Sequence, residues 1–559
     1  MKANLHVFLA FAILAALLSS CAAPAVWIPP SAPPGALVAV TDLLPIVSGA
    51  AQIPAGELPA SQPAAEDPPQ LVLQPAEATP AADNPGDPPE TQPVLPVEAP
   101  PPDENQTPVE EVEPSPFVPA DPQAPILYYA QAADTLPVVA VRFNVDPQEI
   151  SSPDPLPARE FIDPGQLLVI PRRLEETTAS DKLMPDSEVV FSPSATDFDV
   201  AAYLAQAGGK LRTYQEWLKS TGLISGAKVI ERVAAENSIN PRLLLSLLEY
   251  QGGWVFGQPQ SEASGQYPMG YEDPSADGLY RQLMWAVNQI SIGYYAYREG
   301  RLTEIEFRDG SRARLAPDLN AGTAALQYFF AKVYDPLQWQ AALDPVNGYP
   351  ALHARMFGDA WERAKTVEPL FHAGIQQPPL NLPFMRNWQW SYTGGPHGAW
   401  EQDGAYAALD FAPGSDQSGC TESSTWAVAS ASGLVVRSGH GVVVLDLDGD
   451  GREQTGWVLV YLHVTTNKHP VGTWIDKDDQ LGRPSCEGGV STGTHVHIAR
   501  KFNGEWIPAD GPLPFNLGGW VAQAGEEAYK GTLTRDEQTL TACTCSNSQS
   551  LITRGPDDP

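Results

Sequence analysis

Residues 491–501 read STGTHVHIARK and place His495 and His497 on either side of one apolar residue. Because successive side chains of a β-strand point to opposite faces, a strand here would turn both imidazoles to one side and Val496 and Ile498 to the other. The same alternation is typical of any half-buried strand. The remainder of the sequence therefore has to decide between a metal and catalytic centre and a strand that carries two polar side chains.

The chain has 559 residues, too many for one hydrophobic core, and is strongly acidic, with a net charge of -34. Most of its unusual proline content lies in residues 22–125, and no lysine or arginine occurs between Lys2 and Arg142. This composition predicts a disordered, semi-extended acidic tether. No segment offers the basic face that nucleic acid requires, so we expect no nucleic-acid partner.

Residues 1–21 predict an export signal. One basic residue, Lys2, precedes an apolar run that is too short for a membrane-spanning helix and suits a secretory signal. The run ends in LSSC, which resembles a bacterial lipobox. That resemblance implies lipid modification of Cys21 and anchoring to the outer face of the cell membrane, with no other membrane contact; ordinary signal cleavage is the alternative.

Four further cysteines, in an exported chain, indicate disulfides with three possible connectivities. We expect Cys420 to pair with Cys486, because both flank segments of one β-rich domain described below. A structural zinc site on Cys543 and Cys545 is disfavoured, because no second ligand pair lies near them in sequence.

Residues 126–173 read as a strand, a helical segment and a closing turn and strand, PGQLLVIP. The segments ADTL at 133–136 and PGQL at 164–167 resemble a LysM module, a small βααβ unit that binds glycans containing N-acetylglucosamine. The chain departs from that pattern at Ala133, where the family has glycine. A packing unit without a binding function is the alternative.

Residues 196–378 carry apolar residues at helical spacing and predict an all-α domain. The segment around Asn240 and Pro241 resembles the lysozyme-like fold of lytic transglycosylases, with Gln251 where that family has its catalytic glutamate. An amide cannot donate a proton as a carboxylic acid does, so we expect a degenerate domain that binds glycan or acts as a spacer. Glu249 lies about 200° around the helix and would point elsewhere.

From residue 382 to 559 short β-branched runs alternate with Gly-rich turns and predict an antiparallel all-β domain. Five polar residues fall at the ends of these runs: His397, Asp410, His463, His495 and His497. Two imidazoles and one carboxylate make the three-ligand, open set of a catalytic zinc site.

These five positions resemble the lysostaphin and LytM type of zinc metallopeptidase, which has an upstream His and Asp, a Tyr-x-His strand and a final His-x-His strand. The resemblance implies that His397, Asp410 and His497 bind Zn²⁺ and that His463 and His495 are catalytic, in roles the sequence leaves open. The family's usual gap between its first His and Asp is three residues, and here a longer loop intervenes. Asp403 within that loop is the competing ligand.

Together these features predict a multidomain, surface-anchored zinc metalloendopeptidase, expected to be a monomer, that cuts peptide stems or cross-bridges of peptidoglycan. A non-catalytic peptidoglycan-binding or amidase-activating protein is the alternative from another class. A glycosidase that works from the helical domain is a second enzymatic alternative. The bond that is cut, and whether the target is the cell's own wall or a foreign one, cannot be read from the sequence.

Overall fold

A computed structural model describes residues 124–400, 403–414, 419–465, 467–545 and 547–558. Cys21, the signal and nearly all of the tether lie outside this part of the chain. Among the described helices, none combines the length and the apolar character needed to cross a bilayer.

Residues 126–170 form a small unit in which two strands pair antiparallel, Ile126 opposite Ile170. The predicted βααβ order is wrong in one element. The second helix is a single 3-10 turn, because Pro153, Pro155 and Pro157 follow it and lack the N–H groups that a continuing helix needs. Ala133 has φ 68°, in the left-handed region that favours glycine, at the position where the LysM pattern has that residue. The elements are β1 Ile126–Tyr129, α1 Leu136–Phe143, the 3-10 turn Pro147–Glu149 and β2 Leu167–Ile170.

The central region is mainly helical, and its core begins before residue 196, since Met184 and Val189 are buried within it. The prediction of an all-α domain is wrong, because two β-hairpins interrupt the helices. The second turns at Asp309-Gly310, a pair that favours tight hairpin turns. The helices are α2 Val200–Ala207, α3 Lys210–Thr213, α4 Gly226–Asn237, α5 Pro241–Gly252, α6 Glu262–Gln266, α7 Leu279–Arg298, α8 Ala321–Val333, α9 Pro336–Ala342, α10 Tyr349–Phe357 and α11 Ala360–Ala364, with further 3-10 turns at Asp186–Glu188, Pro193–Ala195 and Pro274–Ala276. The hairpin strands are β3 Gln215–Leu218, β4 Gly222–Ser225, β5 Glu304–Glu306 and β6 Arg312–Arg314.

The C-terminal region is the predicted antiparallel β structure. The strands are β7 Gln389–His397, β8 Ala408–Pro413, β9 Ala427–Val428, β10 Gly433–Gly439, β11 Val442–Asp446, β12 Trp457–Leu462, β13 Val464–Thr465, β14 Trp474–Ile475, β15 Gln480–Pro484, β16 Val496–Phe502, β17 Glu505–Trp506, β18 Asn516–Leu517, β19 Trp520–Ala524, β20 Gly531–Arg535, β21 Gln538–Thr541 and β22 Leu551–Thr553. A nine-stranded sheet has the order β14-β10-β11-β12-β16-β8-β7-β22, with β17 paired to β16. Strands β18 to β21 form a second sheet, and β13, β15 and β9 form a third.

The two faces of the large sheet belong to different hydrophobic cores. Along β12, Leu459 and Tyr461 pack inside the β region, whereas Val458, Val460 and Leu462 belong to the core of the helical region. The helical region therefore covers the central strands of the sheet on one face. Strand positions alternate between the two cores as a pleated strand requires, so the helical and β regions fold around one shared core.

Polar contacts at this shared core are buried as well. Ser238 at the end of α4 donates to the carbonyl of Gly504 at 2.6 Å, and Asn503 Nδ2 donates to Leu370 O at 2.7 Å. A Cβ at Gly504 would lie 2.0 Å from the carbonyl oxygen of Phe191. Backbone of the two regions thus meets at a distance that only glycine permits.

Arg298, the last residue of α7, joins three parts of the chain. Its guanidinium contacts Glu505 Oε1 at 3.2 Å in the β region and Asp186 Oδ2 at 2.8 Å in the helical region. It also donates to Ala132 O at 2.7 Å in the small N-terminal unit. Glu368 is buried nearby, where repulsion from Asp186 adds to the effect of its burial. One buried cation therefore faces three carboxyl groups.

The contribution of this cluster to the free energy of unfolding is expected to decrease as pH rises. Burial is the largest effect on Glu505 and, together with repulsion from Asp186 and Glu368, raises its pKa to about 7 despite attraction by Arg298. Burial and then Asp186 raise the pKa of Glu368 to about 7. Between about pH 4.5 and 7 the folded chain holds protons that the unfolded chain has lost, so the free energy of unfolding decreases as pH rises through that window. His463, whose pKa is lowered to about 3 chiefly by burial, contributes in the opposite direction below about pH 6.5. The contribution of the cluster is therefore the difference in slope between the parent chain and a Glu505→Gln variant, from urea unfolding at pH 5 and pH 7.5.

Glu505→Gln is expected to flatten that slope, and Glu537→Gln, at an exposed position, to leave it unchanged. The carboxyls of Glu188 and Glu453, whose pKa values are lowered to about 2, act only below this window. An equal slope in the parent chain and Glu505→Gln would contradict the assignment.

Candidate metal centre

Three adjacent strands bring His397, Asp410 and His497 together. His397 ends β7, and on the neighbouring strands Asp410 of β8 pairs directly with His497 of β16. Their ligand atoms are mutually close: His397 Nε2 is 3.0 Å from His497 Nδ1, and Asp410 Oδ1 is 3.3 Å from each of these nitrogens. All three residues are buried. They form the group that the zinc prediction named.

These separations fit a zinc ion. Ligands at about 2.0 to 2.1 Å from zinc in a tetrahedron lie about 3.3 Å from one another, and the three measured separations are 3.0, 3.3 and 3.3 Å. Asp410 Oδ1 is buried and receives no hydrogen bond from the described residues. A buried carboxylate oxygen without a donor is costly unless a cation satisfies it. The three side chains thus form one face of a tetrahedral site.

Backbone carbonyls orient both imidazole ligands. His397 donates from Nδ1 to Gly395 O at 2.7 Å, and His497 donates from Nε2 to Ala399 O at 2.9 Å. Since these nitrogens carry the protons, the lone pairs of His397 Nε2 and His497 Nδ1 are left for a metal. Fixing the tautomer through the outer nitrogen is the usual arrangement around metal-bound histidine.

His463 and His495 lie beside this group, with ring centroids 4.5 Å apart. His463 donates from Nδ1 to Glu487 O at 2.8 Å, and His495 donates from Nδ1 to Gly493 O at 2.7 Å. His495 Nε2 is 3.5 Å from Asp410 Oδ1. His495 is also more exposed, with 16% of its side-chain surface accessible. Both rings therefore keep Nε2 for chemistry next to the three-ligand group.

The titratable side chains of the site differ in the direction of their pKa shifts. Burial opposes ionisation of Asp410, but the neighbouring imidazoles of His397 and His495 hold the pKa of Asp410 well below its usual value. Asp410 in turn raises the pKa of His397 against the effect of burial. Burial and the positive charges of His495 and His497 lower the pKa of His463 to about 3. At neutral pH His463 is an uncharged imidazole, and Asp410 is an anion.

Tyr529 borders the site and was not predicted from the sequence. Its ring stacks on His397 with centroids 4.1 Å apart. Burial, followed by the charges of Asp410 and Asp403, raises the pKa of its hydroxyl. Tyr529 is 46% exposed and has φ 66° in the turn between β19 and β20. Tyr529 lies in a turn after the last predicted motif and belongs to no sequence pattern, so it could not be identified from the sequence.

Other predicted positions lie elsewhere. The competing ligand Asp403 is exposed and is not part of the metal-binding group found among the described residues. Gln251 accepts a hydrogen bond from Tyr334, and the carboxylate of Glu249 accepts the backbone N–H groups of Val255 and Phe256 at 2.8 and 3.1 Å. Both side chains are therefore engaged in local structure.

The structure pairs Cys420 with Cys486, as expected, and Cys543 with Cys545. The first disulfide closes a loop with a sequence separation of 66 and lies next to Glu487, whose carbonyl accepts the proton of His463. Closing a loop of this size restricts the unfolded chain. The bond therefore supports both the fold and the position of one catalytic candidate.

Replacing Cys420 and Cys486 by serine is expected to cost about 2 to 4 kcal/mol of stability. Chemical unfolding of the double variant, compared with the Cys543→Ser, Cys545→Ser double variant, measures the difference. The second pair closes a sequence separation of 2 and should matter much less. Equal losses in the two double variants would contradict the loop-closure reasoning.

Comparison with known proteins finds related chains for the helical and the β regions. A family model described as LasA, N-terminal domain, matches residues 182–370. The chain is 27% identical over 352 residues to Protease LasA of Pseudomonas aeruginosa (strain UCBPP-PA14), covering 60% of this chain and 78% of that protein. It is 25% identical over 163 residues to Beta-lytic metalloendopeptidase of Achromobacter lyticus, covering 28% of this chain and 41% of that protein.

Among solved structures, "A Novel M23 Metalloprotease Pseudoalterin from Deep-sea" matches with 23% identity and a TM-score of 0.25, covering 30% of this chain and 96% of that one. The catalytic domain of lysostaphin from Staphylococcus simulans matches with 22% identity and a TM-score of 0.17, covering 22% and 90%. The curated relatives support the coarser prediction, a similarity to LasA-like metallopeptidases. The family model on residues 182–370 is that of the LasA N-terminal domain, and the LysM and transglycosylase resemblances stay predictions.

Proposed function

We propose that this chain is a zinc metalloendopeptidase that hydrolyses peptide stems or cross-bridges of peptidoglycan. The observation that carries the proposal is the buried triangle of His397 Nε2, Asp410 Oδ1 and His497 Nδ1, with separations of 3.0, 3.3 and 3.3 Å. Two further imidazoles stand beside it. Three protein ligands with an open fourth position are typical of catalytic rather than structural zinc.

Zinc bound there would polarise the scissile carbonyl and lower the pKa of a water ligand to about 7. The protein's own residues manage the proton. His463, uncharged and with Nδ1 committed to Glu487 O, offers Nε2 as the acceptor for the proton of the attacking water. The imidazolium form of His495, next to the Asp410 carboxylate, offers its Nε2 proton to the developing oxyanion and then to the leaving amine, and the proton that His463 has taken from the water is available to reprotonate His495.

We propose the wall polymer as the substrate because of the segments predicted before the helical region. We propose that Cys21 carries the lipid anchor and that residues 22–125 act as the tether. Residues 126–173 would supply a glycan-binding module. A module and a catalytic site on one tether raise the effective concentration of substrate at the site, without any new contact at the site itself.

The test is mass spectrometry of purified peptidoglycan after incubation with the full chain. Samples are compared with and without a chelator, with zinc restored after chelation, and with the His497→Ala variant. New peptide termini that disappear on chelation and in the variant, and that return with zinc, are the expected result, and their masses identify the bond. Intact peptides with cut glycan strands would mean a glycosidase. Unchanged fragments from several wall types, with zinc verified in the protein, would support the binding or amidase-activating alternative.

A further inference from the structure

The loop between the first two predicted ligands is packed into the helical region. Ala399, Ala405 and Ala407 are fully buried and belong to the same hydrophobic core as the helices. The N–H of Ala399 donates to Ala405 O at 3.0 Å, which closes the loop on itself. We call the described residues 398–400 and 403–407 the ligand loop. By sequence the loop lengthens the usual spacing between the first His and Asp, and its alanines are nevertheless buried in the core.

Side chains attach the ligand loop to the helical region at two points. The ring of Trp400 packs against the shared core, and the guanidinium of Arg437 lies 5.8 Å from it. Arg437 in turn donates to Ala235 O of helix α4 at 3.2 Å. At the other end, Arg301 lies 5.0 Å from the ring of Tyr406. The first point reaches helix α4 through Arg437 of strand β10, and the second reaches Arg301, just beyond helix α7.

The same loop orients a predicted metal ligand. Ala399 O accepts the Nε2 proton of His497 at 2.9 Å. Trp400, the next residue, packs against the same core in which Ala399 is buried. Without that acceptor the His497 ring could rotate or change tautomer, and its Nδ1 lone pair would lose its fixed direction.

We propose that the helical region is a working part of the metal centre. It holds the ligand loop so that Ala399 O fixes the ring of His497, and Trp400 is the positioning residue through which it acts. This inference rests on the proposed zinc site. Partners that orient metal-binding histidines typically contribute 10- to 100-fold in metal affinity, so loosening the loop should weaken metal binding by about that factor while the fold persists.

The test compares Trp400→Ala with Trp457→Ala in the full chain. Trp457 is a matched control, since it also packs partly buried against the shared core, with the guanidinium of Arg500 5.9 Å from its ring. It lies at the far end of β12, about 17 Å along the strand from Leu462, which pairs with His497. Zinc affinity is measured by competition with a chromophoric chelator, and stability by urea unfolding of the metal-free proteins.

We expect both variants to lose similar stability and Trp400→Ala alone to bind zinc about 10 to 100 times more weakly. Trp400→Phe should recover most of the affinity, and it serves if the alanine variant does not fold. Wild-type affinity in both Trp400 variants, or equal losses at Trp400 and Trp457, would overturn the inference. A parent chain that binds no zinc would instead overturn the proposed function on which it rests.

Discussion

Alanine at His497 is expected to abolish metal binding and hydrolysis together, whereas alanine at His495 should abolish hydrolysis and leave metal binding near the wild-type level. In the proposed site His497 offers one of three ligand atoms, and its loss would leave His397 and Asp410, too few to hold the ion. A bound zinc ion would contribute several kcal/mol of transition-state stabilisation, so the expected loss is about 10³-fold or more. Removal of a proton-transfer group such as His495 typically costs about 10² to 10⁴-fold.

Zinc content after dialysis and the rate of release of peptide termini separate the two outcomes. His372→Ala, at an exposed histidine outside the site, is the control and should change neither quantity. Full zinc retention in His497→Ala would disprove the ligand assignment. An active His495→Ala variant would leave His463 as the one remaining proton carrier of the proposed pair.

Replacing Arg298 by methionine should destabilise the whole folded unit by about 3 to 5 kcal/mol. Methionine retains much of the side-chain volume, but Glu505 and Asp186 would lose their buried cation. An uncompensated buried carboxylate is costly unless it takes up a proton. The loss should therefore be larger at pH 8 than at pH 5, because the pKa values of Glu505 and Glu368 are raised to about 7 and both carboxyls are largely protonated at pH 5.

Arg312→Met is the matched control, because this arginine is 68% exposed and pairs with Glu306 at the surface. Exposed pairs contribute about 0 to 1 kcal/mol. Adding Glu505→Gln to Arg298→Met should recover part of the stability, since one orphaned charge is then removed. Urea unfolding at both pH values measures all four proteins, and equal losses for the two single arginine variants would contradict the role of the buried cluster.

The candidate metal centre could be predicted from local sequence, because its residues lie on short strands or next to them. His495 and His497 share a face by strand alternation alone, and Asp410 meets them because β8 and β16 are neighbours. The acceptors Gly395 O, Ala399 O and Glu487 O could not be predicted, since a backbone carbonyl leaves no mark in sequence. The curated relatives agree with the metallopeptidase class; no comparison tests the individual site residues.

The shared core could be predicted in part from the sequence. The segment WVLVYL of β12 is apolar at both odd and even positions, the pattern of a strand buried on both faces. Which element covers the second face depends on contacts distant in sequence, such as Ser238 with Gly504. Hairpins inside the helical region were missed because helical periodicity around them dominated the pattern, although Asp309-Gly310 marks a tight turn.

The covered sheet face also limits how this protein could be rebuilt. A C-terminal module intended for fusion to another targeting domain would naturally be cut near residue 382, where the predicted β domain begins. That cut would bare Val444, Val458, Val460 and Leu462 to water and remove the partner of the buried Glu505. A portable unit would have to carry residues 182–370 with it, or have this face redesigned with polar side chains.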